Sequence, residues 1–170
     1  MLSKHLLRLN NQHIFNPNNF GVLIMITGFP TVATLTAARW GGHFLWVFIF
    51  TLLGLLITIH AKRWIVAVSF LIFFIFFIFI KSFLLSASIA FLMIPLFSPA
   101  LHLYTYFMIT DPRTSPESPR AQVLFGFLIA LVDTYFRFIQ NKNAPIIALF
   151  VVCLLYNGWK FKSVQEPAYA

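Results

Sequence analysis

Apolar and polar positions fall in long blocks along this chain, without the two-residue alternation of a half-buried strand. Apolar runs cover residues 20–38, 44–61, 65–80, 82–97, 100–110, 121–138 and 145–159. Runs of about 17–25 apolar residues are long enough to cross a bilayer as helices. Backbone polar groups in lipid must be satisfied internally, which favours helices over open strands. The pattern predicts an all-α polytopic membrane protein with about six crossings, some of them broken helices. It reads as a single transmembrane domain over 1–170, with a basic and polar segment at 1–19, a membrane region at 20–160 and a polar tail at 161–170.

Several runs carry internal signals. Gly28-Phe29-Pro30 predicts a kink in the first. Arg39-Trp40-Gly41-Gly42-His43 reads as a tight interfacial connection, and Lys62-Arg63-Trp64 ends the second run with cations and an anchoring tryptophan. Residues 65–80 are almost pure Phe, Ile, Leu and Val; Lys81 then breaks the apolar pattern, which resumes over 82–97. The combined stretch is too long for one straight passage of a core of about 30 Å. Either Lys81 sits at a membrane surface between two spans, or one crossing is followed by a re-entrant or surface piece. Asn157-Gly158 is expected to interrupt the last helix.

Two polar islands interrupt the apolar pattern. The first, residues 10–20, contains five asparagines and the turn-favouring pair Asn16-Pro17. Asn18 or Asn19 suits the cap of the following helix. The second, residues 106–120, holds Asp111, Glu117, Arg113, Arg120 and three prolines. Pro112 has no N–H and pushes Asp111 out of helical geometry, so a helix is expected to end near Thr110 with bare carbonyls. Such a break is tolerated in lipid where it is buried in protein, lines a wet cavity or has reached the interface. Asn16, Asn19, Thr110, Asp111 and Thr114 are therefore the candidate binding residues, set against the plainer reading of interfacial caps and a solvated loop. Asp133 and Arg137, one turn apart in 121–138, form either a structural pair or an ion- or proton-binding site.

Composition narrows the class. The chain is 60% hydrophobic and 9% charged, where a soluble domain carries about 25% charged residues. The net charge of +8 is too sparse for a nucleic-acid surface and reads as loop charge that orients helices. If 82–97 does not cross and 100–110 does, Lys4, Arg8, Lys62, Arg63, Arg113, Arg120, Lys160 and Lys162 share one side, which places both termini in the cytoplasm. The single cysteine, Cys153, forms no internal disulfide. His43 and His60 lie roughly 25 Å apart along one helix and cannot share a metal or a haem. No hydrolase motif or phosphate loop is present, and the chain reads as no enzyme by itself.

Three segments in order, His13-Ile-Phe-Asn-Pro-Asn-Asn-Phe-Gly21, Phe107-Met-Ile-Thr-Asp-Pro-Arg-Thr-Ser-Pro116 and Ala148-Leu-Phe-Val-Val-Cys-Leu-Leu-Tyr-Asn157, resemble the NqrB/RnfD superfamily. Its members are membrane subunits of the sodium-pumping NADH:quinone oxidoreductase and of the Rnf complex. The first two segments look most similar to the UnbU-type membrane proteins of enediyne biosynthesis clusters. The resemblance implies a fold of roughly ten helices in two inverted repeats, with broken helices meeting near mid-membrane. This chain resembles the C-terminal half only, so its partner repeat is absent, separately encoded or a second copy. It lacks the flavin-attachment signature, an acidic residue followed by Ser/Thr-Gly-Ala-Thr. Neither Thr34-Leu-Thr-Ala-Ala nor Ser86-Ala-Ser-Ile-Ala fits it. No covalent FMN is expected, and a non-covalent flavin stays open.

These readings leave three functions. One is a non-flavinylated membrane subunit of an electron-transfer or larger membrane complex. The second is a channel or transporter for a small polar solute or ion. The third is a structural or assembly subunit. All three require the lipid bilayer and other subunits or a second copy as partners, without nucleic acid, and point to a bacterial inner membrane.

Overall fold

The computed structural model describes residues 8–9, 12–13, 15–33 and 44–165, with side chains described for 15–33 and 44–160. A two-residue antiparallel pairing, Arg8–Leu9 with Gln12–His13, precedes a helical chain. The helices are α1 (Pro17–Gly28), α2 (Phe44–His60), α3 (Trp64–Leu85), α4 (Ile89–Met93), α5 (Pro99–Leu103), α6 (Pro119–Phe138) and α7 (Ala144–Gln165). A 3₁₀ turn, Ile94–Phe97, follows α4, and a π-helical segment, Tyr104–Ile109, continues α5. The connection at 34–43 and most of the N-terminal island lie outside the described residues.

Helix α3 shows why these sequences fold as they do. Val66, Phe70, Phe74 and Ile78, four positions apart, form its buried face. Ile72, Phe76, Phe79 and Phe83 are exposed on the same helix, and Phe83 is 87% exposed. Water would make such a surface costly, whereas lipid makes an apolar outer face the favourable one. Helix α6 packs on the buried face of α3, and α7 packs on α6. Their shared core contains Phe70, Phe74, Phe125, Ile129, Ala130, Leu149 and Val152. At Gly126 the α3 backbone approaches so closely that a Cβ would lie 2.9 Å from the Phe70 nitrogen and 3.0 Å from the Val66 carbonyl oxygen. The missing side chain is what permits this contact.

By length and hydropathy, α3 and α6 each qualify as a crossing among the described residues. A third results if Ile89–Phe97 and Pro99–Ile109, bent by 58°, form one broken span. The described parts of α2 and α7 are shorter apolar helices.

Two local expectations change, at Lys81 and at Asn157-Gly158, and the alternatives for 82–97 narrow. Lys81 does not break its helix: α3 runs on to Leu85, because the Lys81 Nζ donates to the Arg137 carbonyl oxygen at 3.1 Å and so meets a partner without disturbing its own backbone. The helix stops instead at Ser86, in the left-handed region at φ 49°, and the Ser82 hydroxyl donates to the Ala87 carbonyl oxygen at 2.7 Å. The stretch 82–97 is accordingly no single span but the end of α3, a short helix and a 3₁₀ turn, in line with the alternative of one crossing followed by a re-entrant or surface piece. Helix α7 runs through Asn157-Gly158 to Gln165, into the expected polar tail. A helical glycine costs only about 1 kcal/mol relative to alanine, too little to stop a packed helix.

Candidate functional site

Asn16 builds the first half of the site. Its Oδ1 accepts from the Asn18 and Asn19 backbone N–H groups at 2.9 and 3.3 Å, so Asn16, rather than Asn18 or Asn19, caps α1. Pro17 occupies the first helical position, where its missing N–H costs no hydrogen bond. The other end of the Asn16 amide, Nδ2, donates to the Met108 carbonyl oxygen at 3.4 Å, across 92 positions of sequence. The two polar islands meet through this contact.

Met108 lies in the π-helical segment, where the wider turn leaves carbonyls off the regular i to i+4 pattern. The Thr110 hydroxyl folds back to the Tyr106 carbonyl oxygen. Tyr106 also packs against Gly54 of α2, where a Cβ would meet its ring. At Asp111 the chain turns. The Asp111 carbonyl oxygen accepts from the Thr114 and Ser115 N–H groups at 3.1 and 2.9 Å, and from the Ser115 hydroxyl at 2.8 Å. The Asp111 Oδ1 accepts from Arg113 N–H at 3.1 Å, and the Thr114 hydroxyl donates to the Asp111 carbonyl at 3.5 Å. Pro112 starts the turn, as its fixed φ suggests.

Helix α7 gives the depth of the contact. The Tyr104 hydroxyl donates to the Pro145 carbonyl oxygen at 2.6 Å near one end, and Tyr156 packs edge-on against Phe125 near the other. Phe15, next to the Asn16 cap, stacks on Phe150 between them at 4.6 Å. The start of α1 therefore meets the end of the π-helical segment through Asn16, while Phe15 and Asn19 pack on the N-terminal half of α7. Asn19, 1% exposed, donates its Nδ2 to the Ile146 carbonyl oxygen at 3.2 Å. Its Oδ1 has no partner among the described residues, nor has the Thr105 hydroxyl.

The structure thus brings Asn16 and Asn19 to the end of the π-helical segment, and gathers Thr110, Asp111 and Thr114 in the adjoining turn. Asp133 and Arg137 lie elsewhere, near the far end of α6. Arg137 Nε donates to Asp133 Oδ2 at 2.9 Å, with Asp133 fully buried. This is the paired geometry, and Asp133 Oδ1 has no partner among the described residues.

Sequence reasoning missed the residues that hold the second island in place. Arg63, read as an interfacial cation, is buried and donates its Nε to the Ser115 hydroxyl at 3.1 Å and its Nη2 to the Pro112 carbonyl oxygen at 3.5 Å. Gln122 donates its Nε2 to the carbonyl oxygens of Lys62 and Glu117, both at 3.0 Å, tying the loop to the α2–α3 corner. The proline-rich loop is thus closed over a buried guanidinium. The only sequence signal was a Gln and an Arg at helix ends beside a loop rich in acceptors.

The model of the NQR2, RnfD, RnfE family matches residues 31–157, about three quarters of the chain. The chain belongs to the NQR2, RnfD, RnfE family. Members of this family are membrane subunits of electron-transport complexes, and the apolar helices agree with an integral membrane protein. No match to the chain was found among curated proteins or among solved structures. Within the NQR2, RnfD, RnfE match stand Thr110, Asp111, Thr114, Asp133 and Arg137, whereas Asn16 and Asn19 precede it. Ser86 ends α3 in a left-handed turn and Ser88 caps α4, with no acidic residue beside either. Thr34 and Thr36 lie outside the described residues.

Proposed function

We propose that this chain is a non-flavinylated membrane subunit of an electron-transport complex, similar to the UnbU-type branch and equivalent to one repeat of an inverted-repeat fold. Its part is to hold two helix breaks together as a polar centre against which a partner repeat packs, and it carries no catalysis by itself. The observation that supports this reading best is the Asn16 Nδ2 to Met108 carbonyl contact, which joins the two polar islands. Asn16, Asn19, Thr110, Asp111 and Thr114 are the site residues on this reading. The complete bundle has about six crossings from this one domain, spanning 1–170, and the rest come from a second copy or a separate subunit.

The same reading places the chain in a bacterial inner membrane. Lys62, Arg63, Arg113 and Arg120 gather where α3 and α6 begin, against Lys81, Arg137 and Lys142 where they end, and the larger basic group faces the cytoplasm. Both termini are cytoplasmic on this assignment. A second reading, a path for a small polar solute, draws on Asn19 Oδ1 and the Thr105 hydroxyl, buried without partners among the described residues.

Gentle purification from the native membrane, with mass spectrometry of co-migrating proteins and an absorbance spectrum, separates these readings. Redox subunits in stable association support the electron-transport assignment, and a flavin spectrum carried by this chain overturns its non-flavinylated part. A colourless homo-oligomer without redox partners overturns the assignment and favours the solute path.

A further inference from the structure

The charged cluster at the far end of α3 and α6 plays no part in the proposed polar centre. Asp133 Oδ2 accepts from Arg137 Nε at 2.9 Å, and the Arg137 guanidinium carbon lies 5.2 Å from the centroid of the Phe74 ring. The guanidinium is thus held along one edge and over one face, while the side chain stays 29% exposed. Its two terminal nitrogens have no partner among the described residues. Lys81 Nζ, half-buried on the neighbouring helix, donates to the Arg137 carbonyl oxygen at 3.1 Å, which leaves two of its three protons. Two cations thus stand beside one carboxylate. The Asp–Arg pair and the Lys81–carbonyl bond account for Nε, Oδ2 and one ammonium proton, but neither for the outer guanidinium edge nor for the two remaining Lys81 protons.

Depth and surroundings bear on which anion these donors would suit. Lys81 on α3 is 18 positions from Arg63, the residue just before that helix, roughly 27 Å at ~1.5 Å per residue and close to the ~30 Å thickness of a bilayer core. With Arg63 at one edge of the hydrocarbon, Lys81 and Arg137 are at the other. Exposed Phe83, Leu84, Phe138 and Ile139 flank them, a surface suited to acyl chains and unsuited to a freely soluble anion. A guanidinium fork fixed in one plane matches two phosphate oxygens, and an adjacent ammonium adds a point charge. We infer that Lys81 and Arg137 hold the phosphate of an anionic phospholipid headgroup at the α3–α6 edge.

The test uses native mass spectrometry of the full chain from detergent micelles doped with phosphatidylglycerol or, separately, phosphatidylcholine. Phosphatidylglycerol is expected to remain bound preferentially, and Lys81→Gln should weaken its retention about fivefold, the effect of one surface cation. Arg137→Lys keeps a positive charge for Asp133 but removes the fork, and is expected to lower retention by a similar factor. Equal retention of the two lipids by the unaltered protein would overturn the inference without reference to any variant. Unchanged phosphatidylglycerol retention in both folded variants would also overturn it. Displacement of the lipid by millimolar inorganic phosphate would replace the lipid assignment with a free-anion site.

Discussion

The Arg63 Nε donates to the Ser115 hydroxyl at 3.1 Å, joining the α2–α3 corner to a loop 52 positions later. Glu117, the neighbouring acid, lies 3.9 Å from Arg63 Nη2 with its side chain 86% exposed, so water screens that ion pair. The hydrogen bonds to Ser115 and Pro112 therefore hold the loop more than the charge pairing does. Arg63→Met is expected to destabilise the protein by about 2–3 kcal/mol, the range for hydrogen bonds to a charged group. Thermal unfolding in detergent measures this, and limited trypsin digestion should show faster cleavage after Arg113 and Arg120. An unchanged melting temperature and cleavage rate would contradict the anchoring role.

Removing one member of the Asp133–Arg137 pair leaves the other without its partner. Asp133→Leu is expected to cost about 3–5 kcal/mol, as for other broken buried pairs. Adding Arg137→Leu should recover part of that loss, because the double variant no longer strands a cation. A double-mutant cycle on chemical denaturation measures the coupling, and simple additivity would refute it.

Gly126 and Gly21 make opposite predictions for one substitution. Gly126→Ala forces a methyl against the Ser69 hydroxyl and the α3 backbone, and should destabilise by about 1–3 kcal/mol. At Gly21 nothing lies within 4 Å of an added Cβ. Gly21→Ala in α1 is expected to raise stability by up to about 1 kcal/mol through helix propensity. Parallel melts of both variants decide the matter.

Asn16→Ala removes the α1 cap and the link to Met108 together. A loss of about 1 kcal/mol is expected from the cap, with the larger effect falling on assembly of the complex. Asp111→Asn keeps the Oδ1 that accepts from Arg113 N–H and removes the charge. Together with Pro112→Ala it should impair function more than His60→Ala, which alters an exposed residue at the end of α2. Complementation of a deletion strain reads this out, and equal tolerance of all three substitutions would dismiss the polar centre.

Much of the architecture follows from one-dimensional signals. Long apolar runs mark membrane helices because lipid leaves backbone groups no outside partner. Asn16-Pro17 and Asp111-Pro112 mark breaks because proline lacks an N–H and restricts the residue before it. The i, i+4 spacing of Asp133 and Arg137 allowed their pairing directly. Tertiary structure decided the rest. Lys81 looked like a helix boundary because its hydropathy says nothing of the Arg137 carbonyl that receives it. Arg63 looked like a plain interfacial cation and Gln122 drew no attention, because Ser115 and Pro112 in the one case and the Lys62 carbonyl in the other lie some 50–60 positions away, on turns whose arrival no local pattern announces. The same holds for α3, whose inner and outer faces are equally apolar: lipid and core reward the same residues. Only close packing, as of Gly126 on Phe70, tells one face from the other.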